Sequence, residues 1–156
     1  MSFAHIIFEN PVIPPNTGNA IRLSAATGAH LHLVEPLGFN FDDKNLKRAG
    51  LDYHDLATVT IHPNLDTCFE ALPDARIFAF SSHAKSFHTD VSYEFGDALL
   101  FGTEPSGLTE YALNHPRVTQ TLRIPMLEGR RSLNLANAAS IGIYEAWRQL
   151  NYPAGI

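Results

Sequence analysis

The stretch Thr121-Leu122-Arg123-Ile124-Pro125-Met126-Leu127-Glu128-Gly129-Arg130-Arg131-Ser132-Leu133-Asn134-Leu135-Ala136-Asn137-Ala138-Ala139 decides how the chain is organised. It reads as a strand end, a charged turn and the start of a helix built almost wholly from small residues. Pro125 has no N–H to give to a sheet ladder, so the strand finishes there. Ser132 and Asn134 both carry oxygens able to cap a helix N-terminus. The helix then runs over Asn134–Leu150 with Ile141, Tyr144, Trp147 and Leu150 as an apolar stripe. Ala136, Ala138, Ala139, Ser140 and Gly142 leave its early turns without bulk. Such a face suits tight packing on a sheet, and equally the close approach of another backbone or a flat ligand.

Upstream, short apolar runs alternate with helical segments. Ala4–Glu9, His30–Val34, Thr58–Ile61, Arg76–Phe80, Asp97–Gly102 and Thr119–Pro125 read as strands. Asn16 or Thr17 starts a helix that ends at Gly28, with Arg22 in its second turn. Further short helices are expected over Asp42–Gly50, from Asn64 or Asp66 to near Pro73, and over Tyr111–His115. The polar stretch from Ser81 to Tyr93 reads as a loop with a weak strand in it. The pattern predicts an α/β fold, a mostly parallel sheet with helices on both faces, in a single domain over residues 1–156.

Composition excludes several classes. With 45% apolar and 17% charged residues the chain is globular rather than disordered. One cysteine, Cys68, allows neither an internal disulfide nor a multi-cysteine metal site and suits a reducing compartment. The opening Met1-Ser2-Phe3-Ala4-His5 lacks a basic n-region, and no apolar run is long enough to span a bilayer. A cytoplasmic protein with no membrane partner is expected. A formal net charge of −5 argues against a general nucleic-acid binder. The cations nevertheless cluster, as Lys44, Lys47 and Arg48 and as Arg130 and Arg131, and local patches of this kind suffice for phosphate.

The sequence has no G-x-G-x-x-G, no P-loop, no G-x-S-x-G elbow and no H-E-x-x-H. His30 and His32 share a strand face, but the sequence offers them no third ligand, so no metal site is expected. What remains are three loops rich in Gly, Pro and Asn: Asn10–Asn19, Gly102–Leu108 and Ile124–Asn134. Each follows a strand, which is where an open parallel sheet builds its ligand crevice. Stiff loops exposing backbone N–H and C=O groups suit an adenosine-like ligand.

Asn16-Thr17-Gly18-Asn19 with Arg22, Phe101-Gly102-Thr103-Glu104 with Gly107-Leu108, and Ile124-Pro125-Met126 with Ser132-Leu133-Asn134-Leu135 resemble the three ordered motifs of the SPOUT-class methyltransferases. Leu37-Gly38-Phe39, Gly50-Leu51-Asp52-Tyr53-His54 and Tyr144-Glu145-Ala146-Trp147-Arg148-Gln149-Leu150 narrow the resemblance to the minimal TrmL (YibK-like) family. It covers essentially the whole chain. The resemblance implies a deep C-terminal trefoil knot, although unknotted connections are the default. It also implies a homodimer to which Ile141, Tyr144 and Trp147 contribute, and S-adenosyl-L-methionine as methyl donor. The implied substrate is the wobble-nucleotide ribose of leucine tRNAs.

Carried over by motif, the resemblance places the donor against Phe80, Gly102, Ile124 and Ser132, with backbone near Leu122, Met126 and Leu133 reading the adenine. Gly102 would admit close approach of the ligand. Arg22 matches the catalytic arginine. A guanidinium stays protonated, so holding a phosphate or a developing alkoxide suits it better than acting as a base. Lys44, Lys47, Arg48 and Arg131 are the candidates for tRNA phosphates, while Asn16, Gly18, Glu104, Gly107 and Asn134 support the loops. Thr103 stands where many relatives have proline and is expected to loosen the middle loop; Ala136 replaces a serine. The alternatives are a SPOUT-class enzyme for another tRNA or rRNA site, and a non-catalytic RNA-binding module of the same fold.

Overall fold

The structure is a computed structural model that describes residues 2–40, 42, 44, 48, 50, 51 and 55–156. Among these, seven strands form one sheet: β1 (Ala4–Glu9), β2 (His30–Val34), β3 (Val59–His62), β4 (Ile77–Phe80), β5 (Ser86–Phe87), β6 (Asp97–Phe101) and β7 (Val118–Arg123). Their order is β3-β2-β1-β6-β4-β7-β5, and every pairing is parallel. Four α-helices are bounded among the described residues: α1 (Pro14–Thr27), α2 (Leu65–Glu70), α3 (Glu110–Leu113) and α4 (Leu135–Gln149).

The strands are apolar on both faces because both are covered. Successive side chains point to opposite sides. Ile6, Phe8, Leu31, Leu33, Phe78, Phe80, Leu99 and Phe101 therefore pack with α1 and α4. Ile7, Val34, Ile77, Ala79, Ala98 and Leu100 pack with α2 and α3. The expected α/β layering is what is found.

Two helices differ from their sequence reading in instructive ways. Helix α1 begins at Pro14, with Ile13 at the N-cap and no side-chain cap. Proline needs no intrahelical acceptor in the first turn and has φ preset, so Pro14-Pro15 start the helix earlier than Asn16 would. Asn16 and Thr17 are consequently buried inside α1, and Arg22 falls in its third turn. Gly28 ends the helix as expected, in the left-handed conformation with its N–H on the Ser24 carbonyl. In α4, capped by Asn134 rather than Ser132, the buried positions are Leu135, Ala136, Ala139, Gly142, Ile143 and Ala146. Ile141 and Tyr144 point outward. The small face is what meets the sheet: a Cβ on Gly142 would lie 3.3–3.4 Å from Leu99, Phe80 and Phe101.

Lys44 and Arg48 are helical and exposed. Lys47 and Asp52-Tyr53-His54, together with the bounds of the helix expected over Asp42–Gly50, lie outside the described residues. Among the described residues no helix is long and apolar enough to cross a membrane.

Candidate functional site

Strands β1, β6, β4 and β7 are neighbours, and the segments leaving their C-terminal ends converge on a cavity of about 530 Å³. That volume falls within the roughly 300–1,000 Å³ of small-molecule sites. Ile13 and Asn16 come from the β1 side, Phe80 to His83 from β4, Gly102 to Leu108 from β6, and Ile124, Met126 and Ser132 to Leu135 from β7. Phe80 and Phe101 stack at 4.5 Å beneath it. Because Gly142 lets α4 settle on the same two rings, the small-residue face of that helix fixes the pocket floor.

One carboxylate joins two of the four segments directly and a third through Asn16. Glu104 accepts from the Val12 backbone N–H at 3.0 Å and from the Asn16 side-chain amide at 3.1 Å. Asn16 in turn accepts from the Asn134 amide at 2.8 Å, and Asn134 caps α4 by accepting from the Asn137 N–H. An asparagine can donate and accept at once, so Asn16 relays between the middle loop and the last helix. This is why Asn16 is buried in α1 and unavailable as a cap.

The middle loop closes on itself. Gly107 adopts a positive φ of 81° and donates its N–H to the Thr103 carbonyl at 2.7 Å. A Cβ on Gly102 would lie 2.1 Å from the Gly107 carbonyl carbon and the Leu108 nitrogen. The space that a Cβ would fill at Gly102 is thus taken by its own loop, a role the sequence reading did not foresee, while Gly102 still lines the cavity. Thr103, expected to loosen the loop, does the reverse: its hydroxyl lies within donating reach of the Glu9 carbonyl at 2.9 Å and of the Asn10 carbonyl. Glu9 is itself buried and accepts from both the N–H and the hydroxyl of Thr109. The first and middle loops are therefore joined on both sides.

Phe80, Gly102, Ile124 and Ser132 all line the cavity, as do Met126 and Leu133. Leu122 does not; it is buried in β7 and its carbonyl accepts from the Ser81 N–H. The Ser81-Ser82-His83 segment, read only as a polar loop, forms one wall. Its signal was Phe80 itself, the end of a buried strand next to polar residues. Gly18 is buried in α1. Arg22 is exposed two turns beyond Asn16, does not line the cavity, and has no ion-pair or hydrogen-bond partner among the described residues. Arg131 is exposed beside Ser132 at the cavity wall.

The profile of the SpoU rRNA Methylase family matches residues 4–144. The chain belongs to this family. Its SpoU-type sheet and its sequence both make it a methyltransferase. It is 50% identical over 151 residues, 97% of each chain, to the tRNA (cytidine(34)-2'-O)-methyltransferase of Aeromonas hydrophila. A solved structure from work on the 2-OH methylation of C/U34 on tRNA is 44% identical, with a TM-score of 0.86 over 95% of this chain and 96% of that one. The SpoU methyltransferase AviRb of Streptomyces viridochromogenes, solved with AdoMet, is 26% identical with a TM-score of 0.83, over 96% of this chain and 61% of that chain.

Proposed function

We propose that this SpoU-family protein transfers a methyl group from S-adenosyl-L-methionine to the ribose 2'-hydroxyl of nucleotide 34, cytidine or uridine, in leucine tRNAs. The observation that carries the reading is the strand-end cavity held by the Asn16–Glu104–Asn134 relay, in a chain matched end to end by tRNA (cytidine(34)-2'-O)-methyltransferases. The cavity fits the donor: stacked Phe80 and Phe101 and the side chain of Ile124 give apolar cover, and the loops supply backbone polar groups.

The donor supplies a methyl group already activated on a sulfonium sulfur. The protein has to align it with the attacking 2'-oxygen and help that oxygen lose its proton. Loops locked by Glu104 keep the donor in one orientation, and the stacked floor excludes water from one side. Arg22, a permanent cation exposed outside the cavity, serves at the RNA by holding a phosphate next to the target ribose. Lys44, Lys47, Arg48 and Arg131 extend the phosphate track. Ile141 and Tyr144, 40% and 44% exposed on the outer face of α4, form part of a homodimer surface. Trp147 contributes less than its position in sequence suggests. It packs on Phe3, Tyr144 and Tyr152 and donates to the Pro153 carbonyl at 3.2 Å. The trefoil knot belongs to the same reading, as does a single cytoplasmic catalytic domain.

The test is transfer of labelled methyl to total tRNA lacking wobble ribose methylation, followed by nucleoside mapping. Label on a 2'-oxygen at position 34 of leucine tRNAs is expected. Label at a different tRNA position would keep the chemistry and overturn the substrate.

A further inference from the structure

On the opposite side of the sheet from α1 and α4, four histidines gather where β1, β2 and β3 run side by side. His5 Nδ1 lies 3.0 Å from His32 Nε2, and His32 Nδ1 lies 2.9 Å from His62 Nε2. The His30 ring lies 4.7 Å from that of His32 but turns its Nε2 to the Thr60 hydroxyl at 2.7 Å. The neighbours β2 and β3 place His32 beside Thr60 and Val34 beside His62, so both rings project from one face. Helix α2 covers that face and lays Cys68 into it. The ligand atoms of His32, His62 and Cys68 lie within 4.8 Å of one another, and all three residues are buried. None of them lines the cavity described above.

We propose that His32, His62 and Cys68 form a binding site for a thiophilic d10 metal ion, Zn²⁺ or Cu⁺, that clamps β2 and β3 to α2. Ligand bonds of about 2.0–2.1 Å to nitrogen and 2.3 Å to sulfur put donor atoms roughly 3.3–3.8 Å apart. The existing 2.9 Å separation of the two ring nitrogens needs to widen by a few tenths of an ångström, and the sulfur, within 4.8 Å of them, has at most about 1 Å to close. His32 is already oriented by His5 on its other nitrogen, the arrangement that fixes a ligating imidazole in one tautomer. Cys68, whose thiol makes no hydrogen bond among the described residues, is the third donor and the one that selects the ion, because thiolate favours soft cations.

Charge separates the two candidates. Two neutral imidazoles and one thiolate around Cu⁺ make a buried assembly of zero net charge. The same donors around Zn²⁺ leave one positive charge and call for a fourth ligand. In either case the Cys68 thiol proton leaves to solvent, the proton held between His32 Nδ1 and His62 Nε2 moves by a change of tautomer to the far nitrogen of its ring, and the two lone pairs so freed ligate the metal.

Cys68 is the only cysteine in the chain, so any thiolate-to-metal charge-transfer band must come from it. The experiment uses the intact, unmutated protein, reduced and stripped of metal. One arm titrates Co²⁺ as the spectroscopic substitute for Zn²⁺, and a second delivers Cu⁺ against a chromogenic chelator. One equivalent bound in either arm, with a thiolate charge-transfer band and a higher Tm, is the expected result. The arm that responds names the ion. Cys68→Ser and His62→Gln should each bind at least tenfold more weakly. Should those variants not fold, the spectrum of the unmutated protein decides alone. Failure to retain metal in both arms, or binding without a thiolate band, would overturn the proposal. Methyl-transfer activity enters neither arm.

Discussion

Glu104 is the point at which a small change should have the largest local effect. Glu104→Ala removes the acceptor of the Val12 N–H and of the Asn16 amide, and frees Asn16 to turn away from Asn134. Hydrogen bonds to a charged group contribute about 1.5–3 kcal/mol each when buried. One of these two is exposed to water and the other only partly buried. After screening, their joint contribution comes to about 2–3 kcal/mol. If that energy holds the loops in the donor-binding arrangement, donor affinity falls roughly 30- to 150-fold, at about 1.4 kcal/mol per decade. The assay is calorimetric titration with S-adenosyl-L-methionine, alongside thermal unfolding of the same sample. Asn16→Ala should weaken binding comparably, and the double variant should fall short of the sum because both belong to one relay. Donor affinity within threefold of the unmutated protein, in a Glu104→Ala variant that has lost Tm, would show that the relay serves the fold alone.

Further expectations rest on separate features. Gly102→Ala places a methyl group into the Gly107–Leu108 backbone, so the loop must open; donor binding should drop by more than tenfold, read by the same titration. Neutralising Lys44 and Arg48 together with Lys47 should leave donor affinity alone and flatten the salt dependence of tRNA binding, by about 0.7–0.9 in log–log slope for each phosphate that is no longer neutralised. Arg22→Lys should reduce turnover by more than tenfold at saturating donor, since a point charge does not reproduce the guanidinium fork; unchanged turnover would remove Arg22 from the mechanism. Arg148 holds the Glu145 carboxyl below its ordinary value, with Gln149 assisting against partial burial. A depressed folded-state pKa gives stability that is present above the unfolded value of about 4.5 and is lost as pH falls through the folded one. Denaturation curves of Glu145→Gln should therefore show a shallower loss of stability on the acid side.

Local chemistry made much of the architecture legible, and non-local pairing hid the rest. Ala4–Glu9 and His30–Val34 are strands with the expected bounds because their apolar runs have no competing period. The order in which those strands assemble, with β6 between β1 and β4, depends on connections that no local window contains. The same divide runs through the site. Phe80, Gly102, Ile124 and Ser132 could be placed on strand ends and loops, and they do line one cavity. That Glu104 reaches Val12 across 92 residues, or that Asn134 reaches Asn16 across 118, leaves no trace in spacing. Asn16 is a reasonable cap by residue type; two preceding prolines and its half-buried partner Glu104 decide otherwise. The outward turn of Ile141 and Tyr144 follows from the sheet's preference for the small face of α4, a choice periodicity alone assigns to the bulkier side. His32 lacked a third ligand in sequence because His62 and Cys68 join it only through strand pairing and the packing of α2.

The central claim is that the cavity presents a methyl group to one ribose oxygen. A single-turnover reaction with labelled donor on a leucine tRNA, compared with the same tRNA carrying a 2'-deoxyribose only at nucleotide 34, tests it most directly. The account predicts one methyl per tRNA on the ribose substrate and none on the deoxy substrate, with both binding equally well. Undiminished labelling of the deoxy substrate would contradict it.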